Sequence, residues 1–290
     1  LMDCPFEPDP DHDFVEEFKT ADWKTESAVH KTLKQLGHTV SVLGLCKKID
    51  PLLHTMNTNK PDLVFNLADV FKNKTHFDKN IASLLELFDV PYTGASPDSL
   101  FICNNKALNK KILNYHHIPV PNFYTFYKNR TPRLVKKLKL PCIVKPLSEE
   151  ASRGISQASV VDSEAALLDR VKFIHESLKL DAITEEYIEG REFYVSVLGN
   201  KRLTALPLRE MIFGKMDEDE PRIATYKAKW DNEYRKRWRI KNTDATNLSA
   251  ELTQKAQDIC KRAYRVLNMK SYARFDIRIT PENKIYIIEP

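Results

Sequence analysis

Three residues near the end of the chain, Arg274, Asp276 and Glu289, have the types and spacing of a site that handles charge. They lie in residues 271–290 (SYARFDIRITPENKIYIIEP), which read as two apolar-rich strands joined by a tight TPEN turn. Strand side chains alternate between faces, so Arg274, Asp276 and Arg278 share one face while Phe275, Ile277 and Ile279 point into a core. With ordinary hairpin register, Glu289 returns opposite Asp276. Two carboxylates about one strand spacing apart suit a hard divalent cation such as Mg2+, which prefers oxygen ligands and shares them with phosphates. A salt-bridged surface hairpin accounts for this stretch, taken alone, equally well.

Further cations stand upstream. Lys145 closes the apolar run PCIVKP at 141–146, and a lysine there must reach water or an anion. Snorkelling to the surface is the commoner fate of a lone lysine. The loop behind it carries Ser148, Ser152 and the single glycine Gly154, a weak phosphate cradle when taken by itself. The run EEYI at 185–188 leads through Glu189 and Gly190 into another strand, and such a linker can offer backbone groups to a purine edge. An ordinary strand and turn is the simpler reading. Residues 226–241 interleave cations (Lys227, Lys229, Arg235, Lys236, Arg237) with aromatics, a composition that stacks on bases and neutralises phosphates. The stretch is short and interrupted by acids, so a solvated lid over an anionic substrate fits at least as well.

The elements that must position these residues follow from periodicity. Residues 25–37 have apolar positions at helical spacing and a glycine stop, and 38–45 alternate as a strand. Residues 61–68 form a second short strand and 80–88 a second helix, so residues 1–102 are expected to be a small parallel α/β domain. Residues 4–22 read as a loop. From 103 onward Asn104 caps a helix through Tyr115, residues 132–138 read as a short helix and 155–161 as a strand. Ser163 and Glu164 open a further helix. Strands follow at 182–188, 192–198 and 202–208, then a long loop or lid at 214–246 and an amphipathic helix at 247–267.

Composition narrows the class of protein. The net charge of +5 over 290 residues favours anionic ligands weakly and does not by itself imply nucleic acid. Five cysteines, odd in number and without paired metal spacing, fit a reducing compartment, and cytoplasmic location is expected. No apolar run approaches the ~20 residues that a membrane helix needs, so no membrane partner is expected. Both ends read as incomplete.

Six motifs stand in order along the chain: Asn105-Lys106 opening a helix, PCIVKP at 141–146, SRG at 152–154, EEYIEGRE at 185–192, YKAK at 226–229, and ARFD at 273–276 with IIE at 287–289. Together they resemble the ATP-grasp ligases, closest to the D-alanine:D-alanine ligase branch. The resemblance implies an α+β, two-lobed ATP-grasp domain, with a central lobe at 103–180 and a C-terminal lobe at 181–290. It further implies that ATP and Mg2+ are the cofactors. Lys106, Lys145 and Ser152 would meet the ATP phosphates, Glu185, Tyr187 and Ile188 would line the adenine pocket, and Glu192 would hold the ribose. Lys229 would reach the terminal phosphate from the lid, Arg274 would steady the transition state, and Asp276 with Glu289 would bind Mg2+. The implied reaction joins a small-molecule carboxylate to an amine, an amino acid or peptide, through an acyl phosphate. A homodimer is compatible with it.

Departures from the family pattern bear on the substrate. Residues 18–23 lack the glutamate that holds the first amino group in D-alanine ligases, Asn66 to Asp69 replace a His-Gly segment, and Glu150-Ala151-Ser152 stands where a Gly-Ser-Ser loop is usual. An asparagine completing the metal site is expected just beyond Pro290. The altered loop keeps open a nucleotide-binding regulatory module without catalysis, and residues 226–241 keep open a nucleic-acid binder.

Overall fold

The computed structural model describes residues 1–132, 138–149, 152–215 and 221–290. The chain divides into two units, Leu1–Phe101 and Ile102–Pro290. In the first, β1 (Met2–Asp3) precedes α1 (Lys24–Gln35), β2 (Gly44–Leu45), α2 (Asp50–Thr58) and α3 (Asp78–Leu87), and the division falls within α4 (Pro97–Cys103). β1 pairs in parallel with β2, and single parallel bridges join Met2 to Leu67 and Val64 to Tyr92. Leu45, Leu52, Val64, Ile81 and Leu85 form the core beneath these segments. The strands expected at 38–45 and 61–68 thus shrink to Gly44–Leu45 and to isolated bridges. Within 4–22 the chain makes two short 3-10 turns, Glu17–Lys19 and Ala21–Trp23. α2 is an addition to the expected elements: Asp50 and Pro51 are its start signals, and Leu52 and Met56, four apart, are its buried stripe.

The second unit runs α5 (Lys106–Tyr115), β3 (Phe123–Phe126), β4 (Cys142–Pro146), β5 (Val160–Val161), α6 (Glu164–Phe173), β6 (Ala182–Glu186), β7 (Arg191–Leu198), β8 (Thr204–Ala205), β9 (Arg209–Phe213), α7 (Tyr226–Trp230), α8 (Asn232–Trp238), β10 (Ile240–Asp244), α9 (Ala250–Val266), β11 (Tyr272–Ile279) and β12 (Ile285–Glu289). Two antiparallel sheets result: β3-β6-β4-β5, and β10-β9-β7-β11-β12 with β8 alongside β7. α6 packs its Leu167 and Val171 on the first sheet with Val144 and Ala182. α9 lays Ala256, Cys260, Ala263 and Tyr264 against Phe193, Val195, Phe275 and Ile277 of the second. Those positions recur at three- and four-residue spacing, which places them on one helix face. Truncating a fully buried Phe275 in such a core would cost about 3–5 kcal/mol, so the strand bearing Arg274 and Asp276 is firmly held.

Several expectations are corrected. The helix cap is Asn105, whose side chain accepts from the Leu108 amide at 3.0 Å, and not Asn104. β6 is bonded between β3 and β4, so residues 182–186 belong to the first sheet and the change of sheet falls after Glu186 instead of at 180/181. The strand expected at 155–161 is a 3-10 turn followed by two strand residues, and the one expected at 202–208 is Thr204–Ala205. Residues 221–246, expected as part of a loop or lid, hold two short helices and an edge strand, because Thr225 and Asp231 accept from the Ala228 and Tyr234 amides and cap them. Nearly all of the helix expected at 132–138, together with Glu150 and Ala151 of the altered loop, lies outside the described residues.

Candidate active site

The site is built on α5 first. Lys106 and Lys110 are four residues apart, hence stacked on one helix face, and both are buried. Lys106 Nζ lies 2.9 Å from Glu289 Oε1 and also donates to the Glu149 carbonyl. Lys110 Nζ lies 3.1 Å from Glu185 Oε1 and donates to the Ile288 carbonyl at 2.7 Å. Lys145 comes from β4. It sits opposite Ile183 in the ladder, which makes Glu185 its diagonal neighbour on the same face, and its Nζ lies 3.0 Å from Glu185 Oε2. One carboxylate that is 1% exposed is therefore gripped from both sides by ammonium groups. Burial alone would raise the Glu185 carboxyl; Lys110 and Lys145 outweigh it and hold it below the ordinary range. Burial pushes the Lys110 ammonium down.

The closing hairpin supplies the opposite wall. Asp276 pairs with Glu289, as ordinary alternation had led one to expect, but the register reaches that pairing through a bulge: Ile277 faces Ile287, so Ile288 is the extra residue. Arg274 Nε donates to Asp276 Oδ1 at 2.9 Å, and its guanidinium lies 4.8 Å from the Tyr194 ring centre. Lys229, reaching in from α7, stands 3.5 Å from Asp276 Oδ2. The two carboxylates are pushed apart in acidity. Burial raises the Asp276 carboxyl, with Lys229 and Arg274 opposing, whereas at Glu289 burial is overcome by Lys106 and Lys145, which hold that carboxyl down at about 2.

Arg278 completes the floor. Its guanidinium donates to the Ile188 carbonyl at 2.8 Å, to Glu192 Oε2 at 3.0 Å and to the Arg222 carbonyl, and covers the Tyr187 ring at 5.1 Å. Tyr194 Oη reaches the other Glu192 oxygen at 3.4 Å. Ser152, at φ 61°, donates its hydroxyl to the Ala224 carbonyl at 2.8 Å. The turn from β6 into β7 needs Gly190, at φ 154°, because a Cβ there would lie 2.3 Å from the Ile279 carbonyl oxygen.

Lys145, Ser152, Glu185, Tyr187, Ile188, Glu192, Lys229, Asp276 and Glu289 all line one cavity of about 60 Å³, and Lys106 and Arg274 join it through their carboxylate partners. The structure thus brings together every site residue read from the sequence. A neighbouring cavity of about 1100 Å³ shares Tyr187 and Glu192 but is lined by none of the lysines, so the lysine cluster belongs to the smaller one. Lys110 and Arg278 were not assigned roles from the sequence. Lys110 had a signal, its four-residue spacing from Lys106; Arg278 had only its place on the face of Asp276. The named cations outnumber the named carboxylates by two, which favours an anionic ligand.

As for a metal, Asp276 and Glu289 are oxygen donors set opposite each other, and among the described residues no group of three or more acidic, histidine or cysteine side chains could hold an ion. Two carboxylates with lysines around them fit Mg2+, which is held by one or two carboxylates plus substrate phosphates.

Residues 112–290 match the family described as D-ala D-ala ligase C-terminus. The chain belongs to the D-alanine–D-alanine ligase family. It is 30% identical over 267 residues to the D-alanine–D-alanine ligase of Aquifex aeolicus, covering 92% of this chain and 82% of that one. It is equally 30% identical over 270 residues to an uncharacterized protein, y4sG, of Sinorhizobium fredii, covering 90% and 76%. Among solved structures it resembles the ATP complex of the Bacillus anthracis D-alanine–D-alanine ligase, with a TM-score of 0.65 at 22% identity over 87% of this chain and 74% of that one. The Coxiella burnetii ligase gives a TM-score of 0.59 at 24% identity, and the chain spans 57% of its length. These likenesses show the ATP-grasp fold. Members of the family are ATP-dependent carbon–nitrogen ligases that use ATP and Mg2+. No helix among the described residues is long and apolar enough to cross a membrane.

Proposed function

We propose that this chain is an ATP- and Mg2+-dependent ligase that joins the carboxylate of an amino acid or small peptide to an amine through an acyl phosphate. The observation that carries the reading is the meeting of three lysines from three separate segments around the bulged pair: Lys106 on Glu289, Lys229 on Asp276, and Lys145, which is held on Glu185, close enough for its charge to act on Glu289. Lys106 and Lys145 would bind the phosphates from the floor, with Ser152 at the loop beside them, and Lys229 would bind from the lid. Glu185, Tyr187 and Ile188 would orient the base, and Glu192 the ribose. Arg274 would donate to the oxygens on which charge builds during phosphoryl and acyl transfer. Asp276 and Glu289 would hold Mg2+, which when bound neutralises the charge on the phosphate oxygens. Residues 226–238 would close over the reacting groups and exclude water from the acyl phosphate.

The substrate is proposed to differ from a D-alanine pair. Residues 18–23, where the family's amino-group ligand is expected, form two 3-10 turns, and Asn66 is spent on an Asx turn, its Oδ1 accepting from the Ala68 amide at 3.2 Å. Residues 1–102 are proposed as the N-terminal domain and the remainder as the two ATP-grasp lobes.

Phosphate and ADP release is the test, measured with Mg2+ and ATP against amino acids and dipeptides offered singly and in pairs. Release that requires a carboxylate and an amine together is expected. ATP binding without release under any pairing would leave a regulatory nucleotide-binding module, and overturn the ligase.

A further inference from the structure

The bulge in β12 decides where Glu289 points. Register runs Ile279 with Ile285, Arg278 with Tyr286 and Ile277 with Ile287. Continued without interruption, it would set Ile288 opposite Asp276 and turn Glu289 to the face of Phe275, which is fully buried in the apolar core. A slip of one residue exchanges the two faces of a strand. The extra residue Ile288 brings Glu289 back to the face of Asp276.

A bulged residue is left out of the regular ladder, and its carbonyl needs a partner elsewhere. Lys110 is that partner, at 2.7 Å. Its other contact, Glu185, already has an ammonium in Lys145 at 3.0 Å, so neutralising Glu185 does not by itself call for a second buried cation. Burying an ion is costly until its contacts offset the lost hydration. What Lys110 has and Lys145 lacks is the grip on Ile288. One turn earlier on the same helix, Lys106 holds the Glu289 carboxylate itself. α5 therefore clamps backbone and side chain of two consecutive residues.

We infer that Lys110 is a positioning residue for the metal-binding edge: by holding the Ile288 carbonyl it fixes the bulge and keeps the Glu289 carboxylate opposite Asp276. This rests on the ligase reading, in which those two carboxylates hold the divalent cation. Lys110 touches neither the nucleotide nor the cation; it acts through the backbone beside Glu289.

The test uses the full chain with a non-hydrolysable ATP analogue and Mn2+ as the probe, followed by electron paramagnetic resonance. Lys110→Met keeps the apolar stem, removes the donor and leaves the Glu185–Lys145 pair balanced. Mn2+ affinity in the presence of the analogue is expected to fall about tenfold or more, and metal-free analogue affinity to change less than about threefold. Where Lys110→Met fails to fold, Lys110→Gln, one bond shorter, is measured in the same way with the same expectation. Mn2+ affinity within twofold of wild type in the variant that folds, whatever happens to its melting temperature, would show Lys110 to be a structural ion only and overturn the inference while the ligase reading stands. Failure of the wild-type chain to bind Mn2+ with the analogue would overturn both.

Discussion

Replacing Glu185 by glutamine puts the central claim about the site floor under load. The side chain keeps its size, but Lys110 and Lys145, at 3.1 and 3.0 Å, lose the single carboxylate that serves both. Breaking a buried ion pair from one side costs about 3–5 kcal/mol, because an uncompensated charge is left in a poor dielectric. For a domain of this size each kcal/mol lowers the melting temperature by about 2–4 °C, so a fall of roughly 6–20 °C is expected. The sign of the pH dependence is distinctive. In the variant the facing ammonium groups lose protons more readily folded than unfolded, so the unfolded state binds more protons and stability rises with pH. The deficit against wild type should narrow from pH 7 to pH 10. On acidification the wild-type chain loses the Glu185 contribution below its ordinary carboxylate range, since that carboxyl is held low, and it approaches the variant. Urea titrations at pH 4, 7 and 10 measure all three. A deficit below about 1 kcal/mol at pH 7, or one that does not change between pH 7 and 10, would refute the picture of one carboxylate shared by two charged lysines.

Arg274→Lys keeps the charge but loses the planar fork on Asp276 and the stacking on Tyr194; turnover should fall about a hundredfold with the KM for ATP within about threefold, and unchanged turnover in steady-state kinetics would remove Arg274 from catalysis. In the absence of nucleotide and metal, the Glu289 carboxyl at about 2 against 4.5 contributes stability above pH 4.5 that is lost as pH falls towards 2. Because that carboxylate is 29% exposed, Glu289→Gln should cost at most about 3 kcal/mol at pH 7 and nothing at pH 2; thermal melts across this range that stay parallel would contradict it. Gly190→Ala should destabilise the chain by about 1–3 kcal/mol or more, because φ 154° and the Ile279 carbonyl at 2.3 Å both exclude a Cβ, and a melting temperature within 1 °C of wild type would show that the turn can yield.

What the sequence revealed and what it hid divide along physical lines. The hairpin was legible because alternation is local, but Asp276 comes opposite Glu289 only through the bulge, since unbroken register would have set Ile288 there. The bulge was also written there: Ile285, Tyr286, Ile287, Ile288 breaks the alternation with two consecutive apolar residues, the pattern of an inserted position. The lid's helices were hidden because they are short and their faces are charged, although Thr225 and Asp231 marked both starts. β9 was hidden by Glu210, a buried carboxylate inside a strand. It becomes intelligible only when Arg191, nineteen residues earlier, meets it with two bonds of 2.7 Å. Lys110 was hidden by its neighbour Lys111, since adjacent lysines on a helix read as a solvated face, and burial is a property of the assembled unit.

The contacts around the site also differ in strength. Glu185 and its two lysines are almost wholly buried, and opening that cluster exposes charge to its full desolvation imbalance. Lys229 meets Asp276 at 3.5 Å, the outer limit of a hydrogen bond, so this contact is looser than those of Glu185. Three other cations of the segment are occupied within it, Arg235 on the Ala228 carbonyl at 2.6 Å, Lys236 on Glu233 at 2.8 Å and Arg237 over the Trp238 ring. Residues 226–238 are instead seated by packing, with Ala228, Tyr234 and Trp238 against Tyr194 and Met211, while the lysine floor and the Asp276–Glu289 edge are held by their own contacts. A nucleotide that drew Lys229 away from Asp276 would leave that carboxylate with Arg274 as its one named cation and open it further to the metal ion. The raised pKa of Asp276, caused by burial, fits this order of events, because a carboxylate whose charge is under-compensated in the site gains most from a divalent ion.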